Sequence, residues 1–447
     1  AAQGTSGASG FIKAGLSLEM PGSFISKKMM PKKVQMALDA GDINEDDLNY
    51  IIRPLLRTFI RVGLFEEDER PFEKISNILE HQEIAQQIAE EGIVLFKNDS
   101  NFLPLELDKL KKIAILGPNA KKIYGKPWYG GSSAVVPPKF INPYDGIANY
   151  VSGKAEIVDN PEDADVVFLI VGFDQHSLFR MLLAPKEGDN EGVDRKHYSL
   201  PKKQLKLIIK TLEKNPNTVI ILIAGNPVGV SEFYKNAPVI LNAWNPGMMG
   251  GIALARVLFG DVTPSGKLPV TLPKKIEDHP AHKSKKRFPG DLKELKIYFD
   301  EGIYIGYRYF DEYQIEPLIP FGFGLSYTNF ELSNIQLDKT NLQGSGSFTV
   351  SVDVKNIGDR SGAEIVQIYV GDDECSLDRP PKELQGFDKV YLDPGEKKTI
   401  SITLNESAFE FYSEQEHKFK AETGSFTIWA GSSSRDLPLS IKINYTI

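Results

Sequence analysis

The chain has 447 residues, 41% of them hydrophobic and 25% charged, with a formal net charge of −8. That length predicts two or three domains, each with enough apolar mass for its own core. The dispersed negative charge excludes nucleic acid and anionic membrane as main partners, no apolar run approaches the roughly 20 residues that span a bilayer, and the single cysteine, Cys375, excludes an internal disulfide.

From about residue 31 to 67 the pattern is helical. Val34, Met36 and Leu38 precede a turn, and Gly41-Asp-Ile-Asn-Glu-Asp46 offers capping residues for a second helix. That helix carries Leu48, Ile51, Ile52, Leu55, Leu56 and Phe59 and stops near Gly63-Leu-Phe65. A further helix over 84–89 runs into Gly92-Ile-Val-Leu-Phe-Lys-Asn98. On physics alone, residues 25–100 read as helical packing and linker.

From about 107 to 273, strands and helices alternate. The runs over 113–116, 166–171, 219–224 and 239–243 are β-rich and apolar, and helix-length segments separate them. This pattern predicts a mainly parallel sheet covered on both faces. The runs end in Gly117-Pro-Asn119, Gly172, Gly225-Asn226-Pro227 and Asn245-Pro-Gly247, turn residues expected along the edge where open α/β sheets place ligands. No Gly-x-Gly-x-x-Gly and no phosphate-loop lysine follows a strand, which argues against a nucleotide site. After the second run comes Glu187-Gly-Asp-Asn-Glu191-Gly-Val-Asp194-Arg195, too polar for a core. Leu200-Pro201 then opens a helix with Leu205, Ile208, Ile209 and Leu212 at helical spacing. As residues alone, such an acidic loop is more often a solvated surface than a site. His176 and His197 flank it without partners at metal-ligand spacing, so no metal is expected.

The aromatic stretch from Tyr298 to Phe310 reads as a buried domain junction. From Phe330 onward apolar residues alternate with period two: Phe348, Val350, Val352 and Val354, then Ile400, Ile402 and Leu404, then Phe426 and Ile428. Turn residues recur between these runs, which predicts a β-sandwich.

Several of these stretches resemble glycoside hydrolase family 3. Glu191-Gly-Val-Asp-Arg195, followed by Leu200-Pro201 and Gln204, is similar to that family's acid/base loop, Gly-Glu-Gly-Tyr-Asp-Arg and then Leu-x-Leu-Pro; Asn190 and Val193 depart from it. Ala14-Gly-Leu-Ser-Leu-Glu-Met-Pro-Gly22 resembles a motif near the end of the family's catalytic (β/α)8 barrel, with Ser17 in place of an aspartate. Trp244-Asn-Pro-Gly247, Leu258-Phe-Gly-Asp261 and Pro264-Ser-Gly-Lys-Leu-Pro-Val270 agree with the family in order and spacing, as does Glu301-Gly-Ile-Tyr-Ile-Gly-Tyr-Arg-Tyr-Phe310. The fold class this resemblance implies is α/β plus all-β. The end of a (β/α)8 barrel is expected over 1–66 and a helical linker over 67–105. An α/β sandwich domain carrying the acid/base loop follows over 106–327, and a fibronectin type III-like β-sandwich over 328–447.

The resemblance also implies a retaining exo-β-glycosidase that needs no cofactor and acts on a β-linked oligosaccharide or glucoside. A β-glucosidase is the first expectation; a β-xylosidase or arabinofuranosidase is the alternative within the class. Glu191 matches the catalytic acid/base, with Glu187 as second choice. Asp194 and Arg195 are supporting residues, expected to pair with each other and brace the loop. Trp128 and Tyr129, ahead of the Gly130-Gly-Ser-Ser turn, are candidates for stacking on a sugar ring, although burial is the commoner fate of such residues. In the family a Ser-Asp-Trp triplet bearing the nucleophilic aspartate precedes the Ala14 motif, whereas residues 1–11 hold neither aspartate nor tryptophan. The chain opens at Ala1 without a methionine. The nucleophile is therefore expected from an upstream segment or from a complementary barrel polypeptide. An inactive remnant serving as a carbohydrate-binding or structural module is the alternative from another class. The compartment, cytoplasmic or secreted, stays open.

Overall fold

The computed structural model describes residues 8–19, 30–66, 79–122, 135–173, 188–189, 195 and 197–447. The chain divides into two units, Ala1–Ile78 and Leu79–Ile447. In the first, the described residues form helices α1 (Ala8–Lys13), α2 (Pro31–Asp39) and α3 (Glu45–Arg61). The capping residues foreseen before α3 form a reciprocal box. The Asn44 side chain accepts from the Asp47 N–H at 3.0 Å, and the Asp47 carboxylate accepts from the Asn44 N–H at 2.9 Å. Ala8, Ile12, Ala37, Ile43 and Ile51 make a small apolar cluster. Ile51 is the only buried residue of α3, whereas Ile52 and Leu56 on the same predicted helix are exposed.

The second unit opens with α4 (Leu79–Gly92) and β1 (Val94–Asn98). Residues 79–98, expected within a linker, are instead part of the α/β body, because β1 pairs antiparallel with a strand of the sheet. The remaining elements are β2 (Lys112–Leu116), α5 (Pro143–Val151), β3 (Glu156–Val158), β4 (Val166–Gly172), α6 (Lys202–Lys214), β5 (Thr218–Ile223), α7 (Ser231–Tyr234), β6 (Val239–Asn242) and α8 (Gly250–Leu258). The sheet order is β1-β6-β5-β4-β2-β3, and every pairing except β1–β6 is parallel. Strands β4, β5 and β6 are buried along their whole length, as their unbroken apolar runs demand. Alternate side chains feed two cores: Phe168, Ile170 and Ile221 join one, Leu169, Val171 and Ile220 the other. On the first face α5 and α8 cross at two glycines. A Cβ on Gly146 would lie 2.1 Å from the Gly251 carbonyl carbon, so only glycine permits that approach.

Helix α9 (Gly306–Glu312) leads to the sandwich strands β7 (Phe330–Leu337), β8 (Asn341–Gln343), β9 (Ser347–Asn356), β10 (Gly362–Asp372), β11 (Glu383–Leu392) and β12 (Lys397–Asn405). These are followed by β13 (Phe411–Ser413), β14 (Lys418–Lys420), β15 (Gly424–Gly431) and β16 (Leu439–Thr446). The sheets β11-β10-β15-β16-β8 and β12-β9-β7 enclose a core that contains the period-two residues Phe348, Val352, Ile402 and Ile428. The aromatic stretch is a junction, as expected: Tyr304, Tyr309 and Phe310 are buried. The Tyr307 hydroxyl accepts from the Leu384 N–H at 2.8 Å, and Arg308 pairs with Glu383 at 2.9 Å. Among the described residues no helix is long and apolar enough to cross a membrane.

Candidate active site

Strands β4, β5 and β6 run parallel, so their C-terminal ends share one edge of the sheet. Gly172 ends β4 with φ 148°, and a Cβ there would stand 1.8 Å from the Ile223 carbonyl oxygen. The chain leaves that edge and returns to it through Asp189 and Arg195. The Asp189 side chain is 4% exposed and accepts from the Gly225 N–H at 2.6 Å, the Asn226 N–H at 3.4 Å and the Asn226 side-chain amide at 3.2 Å. It thereby caps the turn that follows β5.

Arg195 Nε lies 3.2 Å from Asp189 Oδ1. Its guanidinium also donates to the Pro227 carbonyl and sits 4.3 Å from the centroid of the Phe173 ring. The side chain is 11% exposed, and Nη1 has no hydrogen-bond partner among the described residues. Burial lowers the guanidinium pKa from its ordinary value, and the Asp189 charge opposes that shift. Beyond Arg195, the Gly229 N–H donates to the Tyr198 carbonyl at 3.0 Å, the Ser199 hydroxyl donates to Glu232, and Leu200 is buried ahead of α6. Burial raises the Tyr198 phenol well above its usual range, with Arg195 opposing. A cleft of about 870 Å³ adjoins this region, lined by Arg195, Tyr198, Pro227, His279, Phe288 and Tyr307 among others. Burial lowers the His279 pKa, helped by His282 and opposed by Glu301. Among the described residues no group of His, Cys, Asp and Glu could hold a metal ion.

Of the residues singled out from sequence, Arg195 is described, whereas Glu187, Glu191, Asp194, Trp128 and Tyr129 lie outside the described residues. Arg195 was expected to pair with Asp194; the partner that the structure describes is Asp189. Sequence reasoning gave Asp189 no role. The available signal was weak: an acidic residue within the loop and a Gly-Asn turn after the next strand, separated by 36 positions. Gln204, quoted only as part of a motif, clamps both main-chain groups of Gly172.

Residues 93–307 match the family model described as the glycosyl hydrolase family 3 C-terminal domain, and residues 364–434 match a fibronectin type III-like domain. The chain is 37% identical over 450 residues to thermostable beta-glucosidase B of Acetivibrio thermocellus, covering 98% of this chain and 57% of that protein. It is 34% identical over 460 residues to an exo-alpha-(1->6)-L-arabinopyranosidase of Bifidobacterium breve, covering 97% of this chain and 56% of the relative. The crystal structure of a family 3 beta-glucosidase from Bifidobacterium adolescentis superposes with a TM-score of 0.81 at 32% identity, covering 98% of this chain and 63% of that one. The chain thus spans less than two thirds of the length of each. Motif order, domain matches and overall similarity agree: the chain belongs to glycoside hydrolase family 3 and carries that family's C-terminal domain followed by a fibronectin type III-like domain.

Proposed function

We propose that this chain supplies the acid/base half of a retaining exo-β-glycosidase, with Glu191 as the proton donor and glucose as the preferred terminal sugar. The nucleophilic aspartate comes from a segment or partner polypeptide outside this chain, since no Ser-Asp-Trp triplet occurs in it. The observation that supports the reading is the Asp189–Arg195 pair beside the C-terminal edge of the parallel strands, Arg195 being the last residue of the stretch similar to the family's acid/base motif. Open α/β sheets bind their ligands at that edge.

Retention needs two carboxyl groups about 5 Å apart, one on each side of the scissile bond. In the first step the nucleophile attacks the anomeric carbon while Glu191 gives its proton to the departing oxygen. In the second step Glu191, now a carboxylate, takes a proton from water as the oxygen of that water displaces the nucleophile. A cation aimed at Glu191 would favour its ionised form and oppose the first step. Among the described residues Arg195 is engaged by Asp189, the Pro227 carbonyl and the Phe173 face, groups that share its charge.

A second reading, an inactive remnant acting as a carbohydrate-binding or structural module, is favoured by the missing triplet. Hydrolysis of an aryl β-glucoside separates the two. The chain is assayed alone and with whatever co-purifies, a denaturing gel reports any second polypeptide of barrel size, and NMR reads the first-formed anomer. Turnover yielding the β-anomer supports the enzyme; no turnover in any preparation supports the remnant.

A further inference from the structure

The residues around α9 divide between two cavities. Tyr307 and Arg308 line the cleft described above, whereas Tyr304, Tyr309 and Tyr313 line another, of about 900 Å³, that shares no lining residue with it. A volume of that size is in the range that holds a small ligand. One wall is a tyrosine stack: the Tyr313 ring lies 4.6 Å from Tyr309, tilted by 43°, and meets Tyr304 edge-on at 6.1 Å. Tyr304 and Tyr309 are buried and fix the stack, while Tyr313 is 57% exposed. Another wall is the β13–β14 hairpin, where Phe411 is buried and Tyr412 is 48% exposed. Half-exposed rings gathered in one concavity, rather than scattered singly, mark a place where something is bound.

Charges of both signs stand among the rings. Arg287 pairs with Asp300 and lies 3.5 Å from Glu301, the Tyr304 hydroxyl donates to Asp378 at 2.6 Å, and Lys420 pairs with Glu416 at 2.7 Å. The Glu301 side chain is 8% exposed, and its Oε2 has no hydrogen-bond partner among the described residues. With both signs present and largely paired, the cavity has no net field to select an ion. A phosphate would meet Asp300, Glu301 and Glu414, and a polyamine would meet Arg287 and Lys420. The lining suits a neutral ligand with apolar faces for the rings and hydroxyls along its rim for the charged groups. A pyranose has that form, with C–H groups on its faces and hydroxyls around its edge. We propose that this cavity, walled by the tyrosine stack and Tyr412, is a second carbohydrate site that holds part of a β-linked gluco-oligosaccharide away from the sheet edge. The choice of a β-glucan rests on the function proposed above; binding itself does not need Glu191.

Calorimetric titration of the chain alone with cellotetraose tests the site without calling on hydrolysis. A dissociation constant of about 1 mM or tighter is expected. Tyr313→Ala and Tyr412→Ala each remove a ring face and are expected to weaken binding roughly tenfold. Unfolding midpoints report whether the variants fold. Tyr313→Leu and Tyr412→Leu, which keep apolar bulk and lose the ring, serve if the alanine variants do not. No binding by the parent chain up to about 10 mM overturns the site, as does binding that the tyrosine variants leave unchanged. Uptake of inorganic phosphate or spermidine in preference to cellotetraose overturns it too. Rates of the active assembly, this chain together with whatever carries the nucleophile, test Glu191 separately. A chain that binds cellotetraose through these tyrosines while Glu191→Gln alters no rate keeps the site and loses the acid/base reading.

Discussion

Gln204 meets both main-chain polar groups of Gly172: its amide N–H donates to the Gly172 carbonyl at 2.7 Å, and its Oε1 accepts from the Gly172 N–H at 2.9 Å. The first turn of α6 is thereby tied to the last residue of β4, on either side of the stretch that carries the acidic loop. Gln204→Ala leaves a donor and an acceptor unpaired in a partly buried place, which costs about 2 kcal/mol. Gln204→Glu keeps the acceptor and loses the donor, so it falls between. Urea midpoints of the three proteins check the order; an unshifted midpoint for Gln204→Ala contradicts it.

The sandwich is fastened to the α/β body by a buried ion pair. Lys267 Nζ lies 2.6 Å from Glu364 Oε1, with side chains 11% and 9% exposed. Lys267→Met strands a buried carboxylate and is expected to cost about 3–5 kcal/mol. Adding Glu364→Gln removes that charge and recovers most of the loss, so the two substitutions are strongly non-additive. A double-mutant cycle by thermal unfolding reads the coupling. Additive effects show that the pair does not act as a unit.

Asp353 ties acid stability to the smaller sheet of the sandwich. The Lys397 ammonium at 2.7 Å and then the Thr399 hydroxyl at 2.6 Å hold its carboxyl below the ordinary 3.8, down to about 2. A depressed carboxylate contributes fully above its unfolded value, and that contribution is lost as pH falls through the folded one. Asp353→Asn is therefore less stable than the parent at pH 6, and the gap closes between about pH 4 and pH 2. Unfolding midpoints across that range are the check; a gap that persists at pH 2 contradicts the assignment.

What was legible in the sequence follows the range of the forces involved. Strands β4, β5 and β6 were visible because a strand buried on both faces must be apolar throughout, and the sandwich because one buried face imposes period two. The Asn44 box was visible because capping chemistry is local. Strand β1 was missed because its partner, β6, lies some 140 residues away, and Val94–Asn98 alone reads equally well as the end of a helical linker. Asp189 was missed for the same reason: its meaning lies in the N–H groups of Gly225 and Asn226, which only the sheet brings near. For Arg195 the sequence suggested the neighbour Asp194, which lies outside the described residues; the partner that the structure describes, Asp189, is six positions away.

Glu191→Ala tests the central claim most directly, in the active assembly with phenyl and dinitrophenyl β-glucosides, with and without azide. Loss of a general acid predicts a fall of about 10²–10⁴-fold in kcat/KM for the phenyl glucoside, near-normal kcat/KM for the dinitrophenyl compound, and turnover restored by azide with β-glucosyl azide as product. Hydrolysis of both substrates at the parent rate, or a loss that azide leaves untouched, contradicts the account.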